Sequence, residues 1–438
     1  MINKKRYIWS LSVALAGFLF GFDTVVISGA NLPIKQLWGL DPWFHGVFIM
    51  SMALWGTVFG AFFGSIPCDR YGRKNTLVWI GVLFFTSAVG SAIAQDPYSF
   101  SFFRFIGGVG VGASTVASPT YISEISNKEN RGKLVALYQF NIVFGILIAY
   151  FSNYLLQGVG GGIDWRLMLG VEAIPAFIYM IFVFYIPNSP RWLILFKKDR
   201  NAARKVLSEI YDSSEIELKI KQIENSVTKD SKESLFSNTY NFQILLAFLI
   251  AFFNQLSGIN FVLYYAPEIL EQAGFASKDS LMSSVSIGAT NLLFTLIGIR
   301  LIDNIGRKKL MLIGSIGYII SLFSISWCYF NTPEPMVFLY FILIFVASHA
   351  IGQGTVIWVF ISEIFPNNVR AKGQSLGTAT HWIFAALITA VAPGLISYLG
   401  NNPAPIFILF GIMMILQLLF VMLMMPETKG KSLEMMKL

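Results

Sequence analysis

From Asn254 to Pro267 the chain reads Asn-Gln-Leu-Ser-Gly-Ile-Asn-Phe-Val-Leu-Tyr-Tyr-Ala-Pro, within an apolar segment that begins near Phe242. Asn254, Gln255, Ser257, Asn260, Tyr264 and Tyr265 are therefore polar groups set in an apolar run. An unpaired amide in hydrocarbon is costly, so these groups should face a water-filled cavity or the interior of a helix bundle. Gly258 and Pro267 are points where a helix can loosen, which membrane proteins tolerate where backbone lines a cavity. One use for such a set is hydrogen bonding between helices. The other is binding a neutral polyhydroxyl ligand. Amides supply donors and acceptors, tyrosines supply flat apolar faces, and neither adds net charge.

A second set is ionisable: Asp23, Arg104 and Glu172, each inside an apolar run of the first half. They lie ten, seven and six residues from Pro33, Pro97 and Arg166, which mark one end of each run. At ~1.5 Å per residue all three come out roughly 9–15 Å below the same surface. Their formal charges nearly cancel, so pairing among them is electrostatically sensible. Such a set can lock a bundle. It can also couple, because a carboxylate that exchanges an arginine for a proton links proton entry to conformation.

The elements that must position these groups follow from composition. The chain has 438 residues, 55% hydrophobic and only 13% charged, with 40 phenylalanines. A soluble protein cannot hide that much apolar surface, whereas a polytopic membrane protein presents it to lipid. The fold class expected is an all-α membrane protein. Apolar runs fall at about 8–30, 45–66, 76–95, 98–122, 134–156, 166–186, 242–272, 281–302, 310–330, 336–361, 372–398 and 404–425. That makes twelve transmembrane helices. Lys4-Lys5-Arg6 before the first run resembles a signal peptide, but no cleavage site interrupts the run, so it reads as an uncleaved helix.

The net charge of +8 is placed as a topology signal rather than a nucleic-acid surface. Arg70/Arg73/Lys74, Lys128/Arg131/Lys133, Arg307/Lys308/Lys309 and Arg370/Lys372 all fall in alternate connections, against Lys35, Arg166 and Lys278 on the other side. By the positive-inside rule both termini are expected in the cytoplasm. Cys68 and Cys328 have no metal or redox spacing, and no metal, cofactor or enzymatic centre is expected. Residues 187–240 form the one long polar connection, with ten Lys/Arg and eight Asp/Glu. Its amphipathic stretches suggest a few short cytoplasmic linker helices. The expected division is a six-helix half at 1–186, the linker at 187–240 and a second six-helix half at 241–438.

The halves repeat. Asp69-Arg70-Tyr71-Gly72-Arg73-Lys74 follows the second span, and Asp303-Asn304-Ile305-Gly306-Arg307-Lys308 follows the eighth. Ser123-Glu124-Ile125 precedes Arg131, and Ser362-Glu363-Ile364 precedes Arg370, with a Glu-to-Arg spacing of seven in both. Parallel six-helix pseudo-repeats about a central pathway are a transporter design.

With these motifs in order, the chain resembles a sugar porter of the major facilitator superfamily, close to bacterial proton-coupled monosaccharide symporters and animal sugar facilitators. Further matches are Gly21-Phe22-Asp23-Thr24, Arg104–Gly112, Arg131-Gly132-Lys133, Pro187–Leu193, Trp358–Pro366 and Pro426-Glu427-Thr428-Lys429-Gly430. The resemblance implies the major facilitator fold and proton-coupled monosaccharide uptake by alternating access. An uncoupled facilitator and a transporter-like sugar sensor are the alternatives. It assigns proton coupling to Asp23 and Arg104, with Glu172 nearby. It assigns sugar contacts to Gln139, Asn254, Gln255, Asn260, Tyr264, Asn291, Gly354, Trp358, His381 and Trp382, the tryptophans stacking on a sugar face.

The acid–base motifs have a reading of their own. Asp69, Arg73, Glu124, Arg131, Asp303, Arg307, Glu363 and Arg370 would form a cytoplasmic gate that bridges the halves in the outward-facing form. Ordinary surface pairs, each contributing under ~1 kcal/mol, are the plainer alternative. Several positions depart from the family pattern. Asn254 stands for a usual glutamine, His381 for Gln or Asn, and Asn188 for the acid before Ser189-Pro190-Arg191. His349 occupies a site that is apolar in the bacterial xylose symporter, and animal fructose facilitators carry histidine at both His positions. Trp358 argues against a pure fructose site. The protein is expected to act as a monomer in a bacterial inner membrane, with lipid, a monosaccharide and a proton as its partners.

Overall fold

The computed structural model describes residues 2–127, 130–225, 234–366 and 369–430. Twelve of its helical segments are long and apolar enough to cross a membrane: Lys4–Leu37, Pro42–Phe63, Arg73–Ile93, Pro97–Ile125, Arg131–Leu156, Gly161–Tyr185, Asn238–Gln272, Ser277–Ile305, Arg307–Asn331, Pro335–Ile364, Arg370–Tyr398 and Ala404–Leu423. They correspond one for one to the twelve apolar runs, and no strand occurs among the described residues. Even the connections follow local rules. Asp96 accepts from the Tyr98 and Ser99 N–H groups to cap the fourth span, with Pro97 in its first turn.

Several spans are interrupted, and each interruption has a local cause. The seventh breaks at Gly258, which sits at φ +85° between helices Asn241–Leu256 and Ile259–Gln272. A side chain there would also collide with the Phe410 ring. It kinks again at Tyr265 (φ −109°, ψ 15°), ahead of Pro267. The tenth breaks at Gly352 between Pro335–Ile351 and Gln353–Ile364. Glu172 falls where the sixth span loosens between Asp164–Gly170 and Ala173–Tyr185.

With an even number of spans, the first begins and the twelfth finishes at one end of the bundle, the end that carries the basic motifs. Three short helices, Pro190–Leu195, Arg200–Ser208 and Ser213–Glu224, follow the sixth span there. They pack on the first half. Lys5 pairs with Glu209 at 2.8 Å, the Arg6 guanidinium lies over the Tyr211 ring, and Tyr211 donates to the Ser126 carbonyl. Lys128 and residues 226–233 of the polar connection fall outside the described residues.

At the opposite end the two halves meet closely. Tyr150 Oη donates to the Leu263 carbonyl at 2.7 Å, and Gln157 Nε2 to Ser277 Oγ at 3.1 Å. The Trp43 ring lies where a side chain at Gly394 would otherwise project, and the backbone at Gly46 abuts Ala390. That end is sealed.

Candidate functional site

The break at Gly258 turns the amides of the seventh span towards one another and towards the eleventh. Asn260 Nδ2 donates to Gln255 Oε1 at 2.9 Å, and Gln255 Nε2 donates to Asn254 Oδ1 at 2.9 Å. The same Gln255 nitrogen lies 3.1 and 3.2 Å from the two ring nitrogens of His381. His381 is flanked by Trp358 and Trp382, with ring centroids 5.0 and 4.7 Å away, and Phe20 of the first half reaches Trp382 at 5.6 Å. Asn254, Gln255, Asn260, Trp358, His381 and Trp382 thus form one polar–aromatic cluster. Gln139, Asn260, Gly354, Trp358 and His381 keep part of their surface open. Asn291 is buried on the eighth span.

Tyr264 is the exception among the seventh-span residues. It is 1% exposed, and its hydroxyl meets the Thr24 side chain of the first half, beside Asp23 and Arg104. It joins the ionisable set rather than the amides. The break at Gly258 separates Tyr264 from Asn254 and Gln255, and the helix that carries it, Ile259–Gln272, packs against the first span.

The three ionisable residues do converge. Arg104 Nη1 donates to Asp23 Oδ1 at 2.5 Å and its Nη2 to the Asp23 carbonyl at 3.0 Å, both side chains 2% exposed. The Glu172 carboxyl lies against Asp23. Glu172 Oε1 and Arg104 Nε have no partner among the described residues. Buried charges are normally fully hydrogen-bonded, so spare capacity here marks a group able to change partners.

At the basic end the twin motifs build twin clusters. Arg73 bonds Asp69 and the Cys68 carbonyl at 3.1 Å and Glu124 at 3.0 Å. Arg307 bonds Asp303 and the Ile302 carbonyl at 3.1 Å and Glu363 at 2.7 and 3.0 Å. Ser189 donates to Glu124 and Thr428 to Glu363, at 2.5 and 2.6 Å. Gly72 (φ +91°) and Gly306 (φ +98°) make the tight reversal that lets the arginine fold back, a conformation that disfavours any residue with a Cβ. Burial works against the Glu427 charge, but N–H groups of Lys429, Arg307, Lys308 and Thr428 together hold its carboxyl below the usual range. Asn188 occupies the matching place in the first half and has no such bonds among the described residues.

Two of the eight gate residues stand apart. Arg131 is exposed and makes no ion pair among the described residues, and Arg370 donates to the Phe365 carbonyl rather than pairing with Glu363. The equal spacing of seven is real but does not signal a contact, because each helix ends just after its glutamate and the arginine opens the next one. Each cluster also stays within its own half.

Sequence reasoning missed a network behind the tenth-span break. The hydroxyl of Tyr318 lies 2.5 Å from His349 Nδ1, Gln353 donates to Gln417, and Gln417 donates to Ser315 at 2.8 Å. His349 is thereby tied to the ninth span, its ring edge against Gly354. It also missed Asn31, His45 and Glu268 at the sealed end. Glu268, an acid inside an apolar span, was a readable signal.

Comparisons with known proteins bear on the family and the fold. The sequence model of the family described as Sugar (and other) transporter matches residues 9–438. The arabinose-proton symporter of Bacillus subtilis is 36% identical over 436 residues, spanning 97% of this chain and 93% of that protein. The D-xylose-proton symporter of Escherichia coli is 32% identical over 470 residues, spanning 98% and 95%. The solved partially occluded inward-open conformation of the xylose transporter XylE from E. coli has a TM-score of 0.87 at 31% identity, covering 98% of this chain and 100% of that one. XylE bound to 6-bromo-6-deoxy-D-glucose gives 0.81 at 30% identity, covering 99% and 98%.

Proposed function

Because this chain belongs to the sugar transporter family, we propose that it imports a monosaccharide, a pentose or hexose, in symport with protons by alternating access. The observation that carries this reading is the pairing of two sites. A buried Asp23–Arg104–Glu172 set in the first half adjoins Tyr264 of the very span that bears the amide cluster. Protonating Asp23 would free Arg104 to shift towards Glu172, and that shift would move the first span against the seventh. The cluster of Gln255, Asn260 and His381, with Gln139, Asn254, Asn291, Gly354, Trp358 and Trp382, would hold the sugar.

The relatives are symporters named for arabinose and xylose, and the same chemistry of amides and indoles suits any neutral aldose. The basic end is read as cytoplasmic, which makes the sealed end the outer one and this form inward-facing. The protein would act as a monomer of two six-helix halves joined by the linker of 187–240, in a bacterial inner membrane. Uptake of labelled pentoses and hexoses into proteoliposomes tests this. Accumulation above the outside concentration, driven by external acid, is expected for at least one sugar. Uptake that only equilibrates would make the protein a facilitator.

The clusters at Glu124 and Glu363 are expected to hold Arg73 and Arg307 in place for closure of the cytoplasmic side. Neutralising both glutamates should then shift the population towards inward-facing forms. Cysteine accessibility from the cytoplasmic side, with Cys68 and Cys328 replaced, reads this; unchanged labelling would reduce the motifs to topology signals.

His381 sits between Gln255 and two indoles, so its substitution should alter preference more than flux. His381→Gln is expected to change the ranking among aldoses and fructose while transport continues. An unaltered competition profile across the panel would assign His381 to helix packing.

A further inference from the structure

Three polar side chains meet at the outer end, on none of the motifs already used. Asn31 lies near the end of the first span, His45 at the start of the second, and Glu268 directly after Pro267 in the seventh. Asn31 Nδ2 donates to Glu268 Oε2 at 2.7 Å, and His45 Nε2 lies 2.5 Å from Asn31 Oδ1. The amide orientation follows from chemistry, since only its NH2 can satisfy a carboxylate. Its oxygen is then the acceptor, and His45 Nε2 carries the hydrogen. Asn31 and His45 are each 1% exposed, and His45 Nδ1 has no partner among the described residues.

Asn31 and His45 belong to the first half and Glu268 to the second. The link therefore crosses between the halves, ends on a carboxylate and lies out of water, the combination that makes a hydrogen bond strong. Lys35 of the first span lies near both His45 and Glu268; Glu271, Tyr265 and Tyr329 also face Glu268. Tyr150 and Gln157 reach across by weaker, neutral bonds.

We propose that Asn31, held by His45 and bonded to Glu268, is an outer latch that keeps this carrier closed to the outside and breaks whenever it faces outward. The proposal rests on the transporter reading and deepens it. The cytoplasmic clusters are intact within each half here, so the latch supplies a charged hydrogen bond between halves at the closed end, where the Lys278 ammonium also lies over the Tyr154 ring. A contact present in only one of two states biases their populations by its own free energy.

The test uses Ser28, one turn below Asn31 on the same face of the first span and 4% exposed. Ser28→Cys is made in full-length protein carrying Cys68→Ser and Cys328→Ser, and intact cells are treated with a membrane-impermeant maleimide. Asn31→Asp sets one carboxylate against another and should speed labelling about tenfold or more. Adding Glu268→Gln to Asn31→Asp reverses the polarity of the bond, with the introduced amide donating to the introduced carboxylate and His45 still donating. Labelling should fall back towards the parent rate. Parent-rate labelling in Asn31→Asp, or no reversal in the double variant, overturns the latch. Should Asn31→Asp fail to reach the membrane, Glu268→Ala gives the same readout, and no rise there overturns it equally. Labelling is read without sugar, so a normally labelled parent that carries no sugar would sink the transport reading alone.

Discussion

Asp23→Asn is expected to abolish uphill sugar accumulation while leaving sugar exchange in place. Asp23 takes two hydrogen bonds from Arg104, at 2.5 and 3.0 Å, and touches Glu172. Removing one partner of a buried ion pair typically costs about 3–5 kcal/mol, because the other charge is left behind. Here Glu172 remains to accept Arg104, so the folded protein should survive. Asparagine keeps the size and the acceptor oxygen but cannot take up a proton. Exchange of sugar down its own gradient needs no proton turnover and should persist in proteoliposomes. Accumulation driven by acidifying the outside should drop to simple equilibration. A variant that still concentrates sugar places the proton site elsewhere, with Glu172 next in line.

The second large effect is expected at Gln255. Its side chain is the junction of the amide cluster, bonded to Asn254, Asn260 and His381. Gln255→Ala deletes the junction and frees Asn260 and His381 from their fixed orientations. Counting two hydrogen bonds from Gln255 to the sugar at roughly 0.5–1.5 kcal/mol each, the loss amounts to about 1–3 kcal/mol. Sugar affinity should therefore weaken roughly five- to 150-fold. Asn260→Ala, which removes one bond, should weaken it less. Calorimetry on detergent-purified variants of unchanged elution profile measures both. Wild-type affinity in the pair would make the cluster a structural contact between the seventh and eleventh spans.

Much of this molecule was readable before folding was considered. Lipid solvation imposes a length on every apolar run and a sign on every connection, so the twelve spans and their two-fold repeat follow from the chain alone. Depth is also linear along a helix, which is why counting from Pro33, Pro97 and Arg166 brought Asp23, Arg104 and Glu172 to one level. The amides around Gly258 announced themselves because hydrocarbon leaves them no other use.

What the sequence could not set was direction around each helix axis and the choice of partner across the bundle. Glu124 pairs with Arg73, 51 residues away, and not with Arg131 seven residues on. Tyr264 shares a span with Gln255 yet faces Asp23, because the break at Gly258 puts the two residues on separate helices. His349 could equally have served a ligand or a neighbouring helix by its sequence, and it is tied to Tyr318. Asn31 and His45 are unremarkable in their own segments, and even the conspicuous acid Glu268 acquires its partners only where the halves touch. Burial and membrane depth are properties of one segment in one solvent, so composition determines them. Pairings depend on the rotation and tilt at which distant helices pack, and those are decided by the whole tertiary structure.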